Sequence, residues 1–318
     1  MPIKETVAVA GLRISLLGRL CVRRDELVIE GTHANKIWEF FCYLLLHQDH
    51  PHPREVLAAM LWGNSPTAQS KKYLRQALWQ LQSCLNSQGS PAGDRLLQIE
   101  PDWVLLNSKA DFWLDVAVFE QAFNLAHGVT GRDLDSQQAR ALREAVELYR
   151  GDLLEGWYQD WCLYERERLQ NIYITILEKL MDHCEAHREY ETGLGYGERI
   201  LRCDRAREGT QRRQMRLQYL AGDRTAALRQ YQACVDALEA ELGVKPDKST
   251  TLLYEQIRAD YLSLTPSPPA AAPPADGKTD SLSKVLGTLK QLNLILNDVK
   301  RQIAQEIQTV EQILQDRR

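Results

Sequence analysis

Between Pro66 and Leu85 the chain reads PTAQSKKYLRQALWQLQSCL. Lys71, Lys72, Arg75, Gln76, Trp79 and Gln80 recur there at three- and four-residue spacing, so a helix gathers them on one side. Cationic and amide side chains set along one helix face can lie against phosphates and base edges. This face holds three positive charges and no carboxylate. An ordinary exposed helix mixes acids with lysines to make i, i+4 pairs. A plain solvated helix is the competing reading, and the rest of the chain has to decide between them.

Other residues invite other chemistry. Ala272–Thr279, APPADGKT, fits a loose phosphate-loop pattern. Such a loop needs a strand before it and a helix N-terminus after it, and here alanine and proline precede it. His47, His50 and His52 cluster with Asp49, but metal binding needs a convergent geometry that this proline-rich loop does not announce. They read as solvated loop histidines. Gly193, Gly195 and Gly197 have the wrong spacing for a dinucleotide turn, and Gly195 and Gly197 read as sites of close helix packing. Asp160, Glu165, Glu167, Arg166 and Arg168 read as a mixed charged helix face. Arg205, Arg207, Arg212, Arg213 and Arg216 form a basic cluster, either a solvated face or a second contact with DNA or an acidic partner. No nucleophile, metal or acid–base constellation stands out. The chain is therefore read as a non-enzyme without a cofactor.

The totals agree with a binding protein of ordinary kind. A length of 318 residues accommodates two domains. No run of about 18 apolar residues exists, so no membrane span is expected. Arg13 and Ser15 interrupt the N-terminal apolar stretch, which argues against a secretory leader and for a cytoplasmic protein. The seven cysteines are scattered and never spaced as CxxC, so most are expected to be small apolar fillers. Charge is uneven. Residues 1–110 carry 12 basic against 10 acidic residues, residues 111–264 carry 20 against 27, and residues 265–318 carry 7 against 6. An acidic chain still binds nucleic acid where positive charge is local.

The elements that would position the basic helix follow from periodicity. Leu12, Ile14, Leu16, Leu20 and Val22 alternate with polar residues, Gly18 marks a kink, and Leu27–Ile29 follows a turn, predicting a small antiparallel sheet. Ile37, Phe40, Phe41, Leu44 and Leu45 share a helix face. His50-Pro51-His52-Pro53 stops that helix, and a short one runs from Arg54 to Leu61. In the 66–86 helix, Leu74, Leu78, Leu81 and Leu85 form the buried stripe. Leu96–Ile99 and Trp103–Leu106 flank Glu100-Pro101-Asp102 as a hairpin. Sheet, three helices and hairpin make a winged helix-turn-helix arrangement, whose third helix enters the major groove.

Residues 111–264 read as helices throughout, roughly at 112–127, 136–150, 159–184, 188–202, 208–220, 223–241 and 249–263. A weak repeat at a shift of 34 residues lays Arg188–Leu194 on Gly222–Leu228, the period of tetratricopeptide helix pairs. Residues 265–280 are a proline-rich linker. From Ser281 to Arg318, Leu282, Leu289, Leu296, Ile303 and Val310 occupy heptad position a. Val285, Leu292, Val299, Glu306 and Ile313 occupy position d. Nine of these ten are apolar, predicting a coiled coil and a homo-oligomer. Ile295, Ile307 and Leu314 widen the stripe, so two, three or four strands stay open, as does a single helix docked on the body.

In this order the motifs resemble the bacterial transcriptional activators of the antibiotic-regulatory-protein type. These join an OmpR/PhoB-like winged helix to a bacterial transcriptional activator domain. LRISLLGRLCVRR is similar to their opening strand pair, LLLHQDHPHPREVLAAMLWG to their segment in which one helix ends, a loop passes and a second helix closes on Leu-Trp, and LLQIEPDWVLL to their wing. FWLDVAVFEQA is similar to the entry of the second domain, and LEAELGVKPDKSTTLLYEQI to its closing signature. The resemblance implies a mostly α fold with a small β part. It divides into a winged helix-turn-helix domain at 1–110, a tetratricopeptide-like activator domain at 111–264, the linker, and a coiled-coil helix at 281–318. By position it implies that Lys71, Lys72, Arg75, Gln76 and Gln80 face double-stranded DNA. Lys36, His52 and Arg54 would reach phosphates. Trp79 replaces a small polar residue and would pack on a sugar, a thymine methyl or a protein. RNA polymerase holoenzyme is the further partner implied. A repeat-and-coiled-coil scaffold whose winged helix does not bind DNA is the alternative.

Overall fold

The computed structural model describes residues 11–25, 27–29, 36–85, 96–107 and 110–260. The Ala272–Thr279 stretch, the linker and the heptad tail with Leu282, Val285, Leu289, Leu292, Leu296, Val299, Ile303, Val310 and Ile313 lie outside them. None of the helices among the described residues is long and apolar enough to cross a membrane.

The chain opens with strands β1 (Leu12–Ser15), β2 (Cys21–Arg24) and β3 (Leu27–Val28), followed by helix α1 (Lys36–Leu46). A two-residue strand β4 (His52–Pro53) leads into α2 (Arg54–Trp62) and α3 (Thr67–Leu85). The hairpin is β5 (Leu97–Ile99) and β6 (Trp103–Leu106). Strand β4 pairs with β6, with His52 opposite Val104, so the wing is three-stranded. The His-Pro-His-Pro stretch that punctuates the sequence thus also donates an edge strand, where proline's missing N–H costs nothing.

Residues 112–114, expected to begin a helix, instead form strand β7 (Phe112–Leu114), which adds to β1 in parallel. The sheet order is β3-β2-β1-β7. Helices α4 (Asp115–Leu125), α5 (Ser136–Leu148), α6 (Asp160–Ala186), α7 (Tyr190–Cys203), α8 (Glu208–Leu220), α9 (Arg224–Leu242) and α10 (Lys248–Arg258) follow. Helices α7 and α9 start 34 residues apart, matching the repeat period.

The boundary expected at residue 110 is not a break in packing. The described residues up to 260 form one compact unit, and one apolar cluster runs from Ile14 through Phe40, Phe119 and Leu177 to Leu217. Asp115 holds the seam. Its carboxylate is buried and accepts from the backbone N–H groups of Leu16 (2.8 Å), Leu17 (2.9 Å) and Val116 (2.8 Å). Burial raises its pKa above the ordinary value, against those three donors and nearby Arg150. On the other side, Gly18 N donates to Asp152 O and Glu155 N to Gly18 O. Arg166, expected on a charged face, instead turns inward and donates to the carbonyls of Leu153, Leu154 and Trp157.

Helix packing in the repeat is close at two glycines. A Cβ on Gly197 would stand 2.6 Å from Gln214 Nε2 and 2.9 Å from Met181 Cε. At Gly193 it would meet Leu217 and Cys184 at 3.1 and 3.2 Å. Gly195, expected to share this role, is exposed with open space around it. Gly197→Ala should therefore lose about 1–3 kcal/mol to overpacking. Gly195→Ala should gain about 1 kcal/mol of helix propensity. Urea midpoints of the two variants check the contrast, and equal shifts would contradict this packing.

Candidate nucleic-acid interface

Helix α3 buries Leu74, Leu78, Leu81 and Leu85 against the core and leaves Lys71, Lys72, Arg75, Gln76 and Trp79 exposed. Gln80 is half-buried. Ser70 stabilises the entry of the helix, its hydroxyl donating to Trp62 O at 2.9 Å. At the far end the Arg24 guanidinium donates to Leu85 O, placing a cation at the negative end of the helix. The helix is thus held at both ends while one face stays open.

That face is less uniformly basic than its sequence. Glu55 on α2 reaches across to Lys71 at 2.5 Å. The bond holds the Glu55 carboxyl below its ordinary pKa. Periodicity within one helix could not reveal an acid supplied by another. Lys72 and Arg75 make no ion pair among the described residues. Trp79 stands 68% exposed, an unusual position for the most hydrophobic ring on the helix.

Beside α3 a cleft of about 850 Å³ runs between α2 and the wing, lined by Arg54, Glu55, Val56, Lys71, Arg75 and Trp103. Trp103 on β6 is 44% exposed and belongs to this surface, although the sequence pattern marks it only as a hairpin residue. Arg54 is half-exposed and turned to the wing: its guanidinium donates to Glu100 O (3.2 Å) and Pro101 O (3.3 Å), and its N–H to Asp102 O. It fixes the wing turn to α2. Lys36 is half-exposed and paired with Glu39 at 3.0 Å.

His52 does not reach solvent. It is 5% exposed, and its Nε2 lies 2.7 Å from His47 O. The strand pairing of β4 turns it into the core, so His52 is not placed to meet a phosphate, contrary to the expectation from position. Burial lowers the pKa of both His52 and His47. The folded state then binds fewer protons than the unfolded chain below about pH 6.5. Stability should be complete above that pH and fall as pH drops through the folded values. Melting temperatures between pH 7.5 and 5 check this, and His52→Asn should flatten the fall. His183 on α6 is lowered as well and leaves a residual slope.

The arginines of α8 are committed within the protein. Arg207 pairs with Glu178 (3.0 Å), Arg213 with Asp182 (3.3 Å) and Arg216 with Glu185 (2.7 Å). These three form a ladder between α8 and α6, while Arg212 lies 4.0 Å from Glu208 and Arg205 stays exposed, so the cluster is a partly solvated face most of whose charge is paired within the protein. Glu165, Arg168 and Glu120 form a similar bridge between α6 and α4.

With this geometry in place, comparison with known proteins adds the following. Residues 114–258 match the family model described as bacterial transcriptional activator domain. No curated protein matches the chain. Among solved structures, Mycobacterium tuberculosis EmbR, in complex with a low-affinity phosphopeptide, superposes with a TM-score of 0.65 at 18% identity. The match covers 89% of this chain and 71% of that one. At such identity the likeness speaks for the fold.

Proposed function

We propose that this chain, whose residues 114–258 match the bacterial transcriptional activator domain, is a transcriptional activator of the antibiotic-regulatory-protein type that binds promoter DNA through α3. The observation that carries the reading is the open face of α3, where Lys72 and Arg75 stand unpaired among the described residues beside Gln76, Gln80 and Trp79. Lys72 and Arg75 contact phosphates and the amides read base edges. Lys71 joins them once DNA competes with Glu55. Lys36 approaches the backbone from α1, and Arg54 acts by holding the wing.

The activator domain faces RNA polymerase holoenzyme or an effector. A groove of about 530 Å³ between α7, α8 and α9 supports this, lined by Gln211, Gln214, Gln218 and Gln230. The chain acts in the cytoplasm and assembles through the heptad residues Leu282 to Ile313. Light scattering on the full-length protein at micromolar concentration should give an oligomer, and a monomeric mass would remove that part of the proposal.

The exposed Trp79 also suits a protein anchor, so a scaffold that does not bind DNA is the second reading. Binding to random duplex at low salt separates the two. An activator retains the duplex with an affinity that falls steeply with salt, and a scaffold does not retain it.

A further inference from the structure

Strand register sets Arg13 of β1 directly opposite Arg23 of β2, with Trp113 of β7 on Arg13's other side. Like charges facing each other across an antiparallel pair destabilise a sheet. Nothing in the fold requires arginine at two exposed positions here. Arg19, from the turn after β1, and Arg150, from the loop after α5, line the same cleft. Four guanidinium groups, from β1, the turn after it, β2 and the loop after α5, thus line a space of about 320 Å³.

The two acids in the cleft, Asp115 near Arg150 and Glu155 near Arg19, offset four arginines only in part. The Asp115 carboxylate is occupied by three backbone donors. Glu155 lies 3.8 Å from Arg19 and both side chains are exposed, a loose surface pair. Arg13, Arg23 and Arg150 have no ion pair among the described residues. The contrast with α8 is direct, since Arg207, Arg213 and Arg216 there each have a carboxylate. The Arg13 guanidinium carbon lies over the Trp113 ring, 4.0 Å from its centre. Stacking of that kind orders a guanidinium while its N–H edge stays able to donate.

We propose that this cleft binds a small phosphate-bearing ligand with at least two negative charges, of the pyrophosphate or nucleoside-polyphosphate class. Planar guanidinium forks match phosphate oxygens in pairs. The volume falls at the lower end of small-ligand sites, roughly 300 Å³. The arginines ring a concavity and do not follow one element, which favours a compact ligand over a strand of DNA. The cleft lies where Gly18 is bonded to Asp152 and Glu155. A ligand there would tie the N-terminal sheet to the activator domain across their seam. The proposal does not depend on α3 binding DNA.

The test is calorimetric titration of the full-length protein with inorganic pyrophosphate, triphosphate and ATP at constant ionic strength, with sulfate as control. Pyrophosphate should bind and raise the melting temperature more than sulfate does. Arg13→Gln/Arg23→Gln should weaken binding at least ten-fold while melting no lower without ligand, because the facing charges are gone. Arg150→Gln, outside the sheet, should weaken it too, and Arg202→Gln on α7 should not. Equal affinity for triphosphate and ATP would assign the site to the phosphates alone, and tighter ATP binding to a nucleotide. Absence of pyrophosphate binding to the unaltered protein, or equal affinity in the sheet variant, overturns the proposal. Loss of random-duplex binding in that variant without any pyrophosphate binding would reassign the arginines to the DNA backbone and overturn it equally.

Discussion

Replacing Lys72 and Arg75 together by glutamine is expected to abolish retention of a promoter duplex in a gel shift and leave the fold intact. Both side chains are exposed on α3, and neither is tied to an acid among the described residues. Each phosphate that a cation neutralises adds about 0.9 to the slope of log affinity against log salt. Removing two such cations therefore lowers the slope by roughly 2, a change visible across a salt titration. Affinity should fall about equally for all sequences if both residues touch phosphates only. The buried stripe Leu74, Leu78, Leu81 and Leu85 is untouched, so stability should shift by less than about 0.5 kcal/mol. Lys71 is the poorer target, since its charge is already shared with Glu55 at 2.5 Å. Unchanged duplex retention by the double variant, with the fold intact, would count heavily against α3 as the recognition helix.

The second large effect is expected at Asp115. Truncation to alanine leaves the N–H groups of Leu16 and Leu17 without their acceptor in a seam where both residues are buried. An orphaned buried donor costs about 1–3 kcal/mol. The loss at Asp115→Ala should accordingly reach about 3 kcal/mol or more, a large share of the stability of an ordinary domain. Asp115→Asn keeps one acceptor oxygen and should lose less. Urea unfolding followed by circular dichroism gives both values. DNA retention should decline with the folded fraction, because the sheet on which the winged helix rests is anchored there. If Asp115→Ala unfolds at the wild-type midpoint, the seam is held by the apolar core and not by this carboxylate.

Local pattern is enough to find the helices. The leucine spacing of α3, the face of α1 and the 34-residue offset between α7 and α9 each express periodicities set by backbone geometry alone. The wing hairpin is legible for the same reason, since Glu100-Pro101-Asp102 interrupts two apolar runs. These features involve residues close in sequence, whose side-chain directions follow from the element they belong to.

What escapes the sequence depends on residues far apart in it. Phe112–Leu114 looks like the start of a helix until β1, about a hundred positions earlier, offers it an edge to pair with. His52 looks solvated until β4 pairs with β6 and turns it inward. Glu55 and Lys71 lie on different helices, and no periodicity within either shows that they meet. Arg207, Arg213 and Arg216 look like a basic patch until α6 supplies their carboxylates, whereas Arg13 and Arg23, set opposite each other by strand register, meet no carboxylate among the described residues. By itself the sequence determined which segments are helices and strands and which side of α3 is charged, because those follow from local spacing. Tertiary structure alone decided which charges are neutralised and where the two halves join, because Coulombic and hydrogen-bond partners are chosen by distance in space.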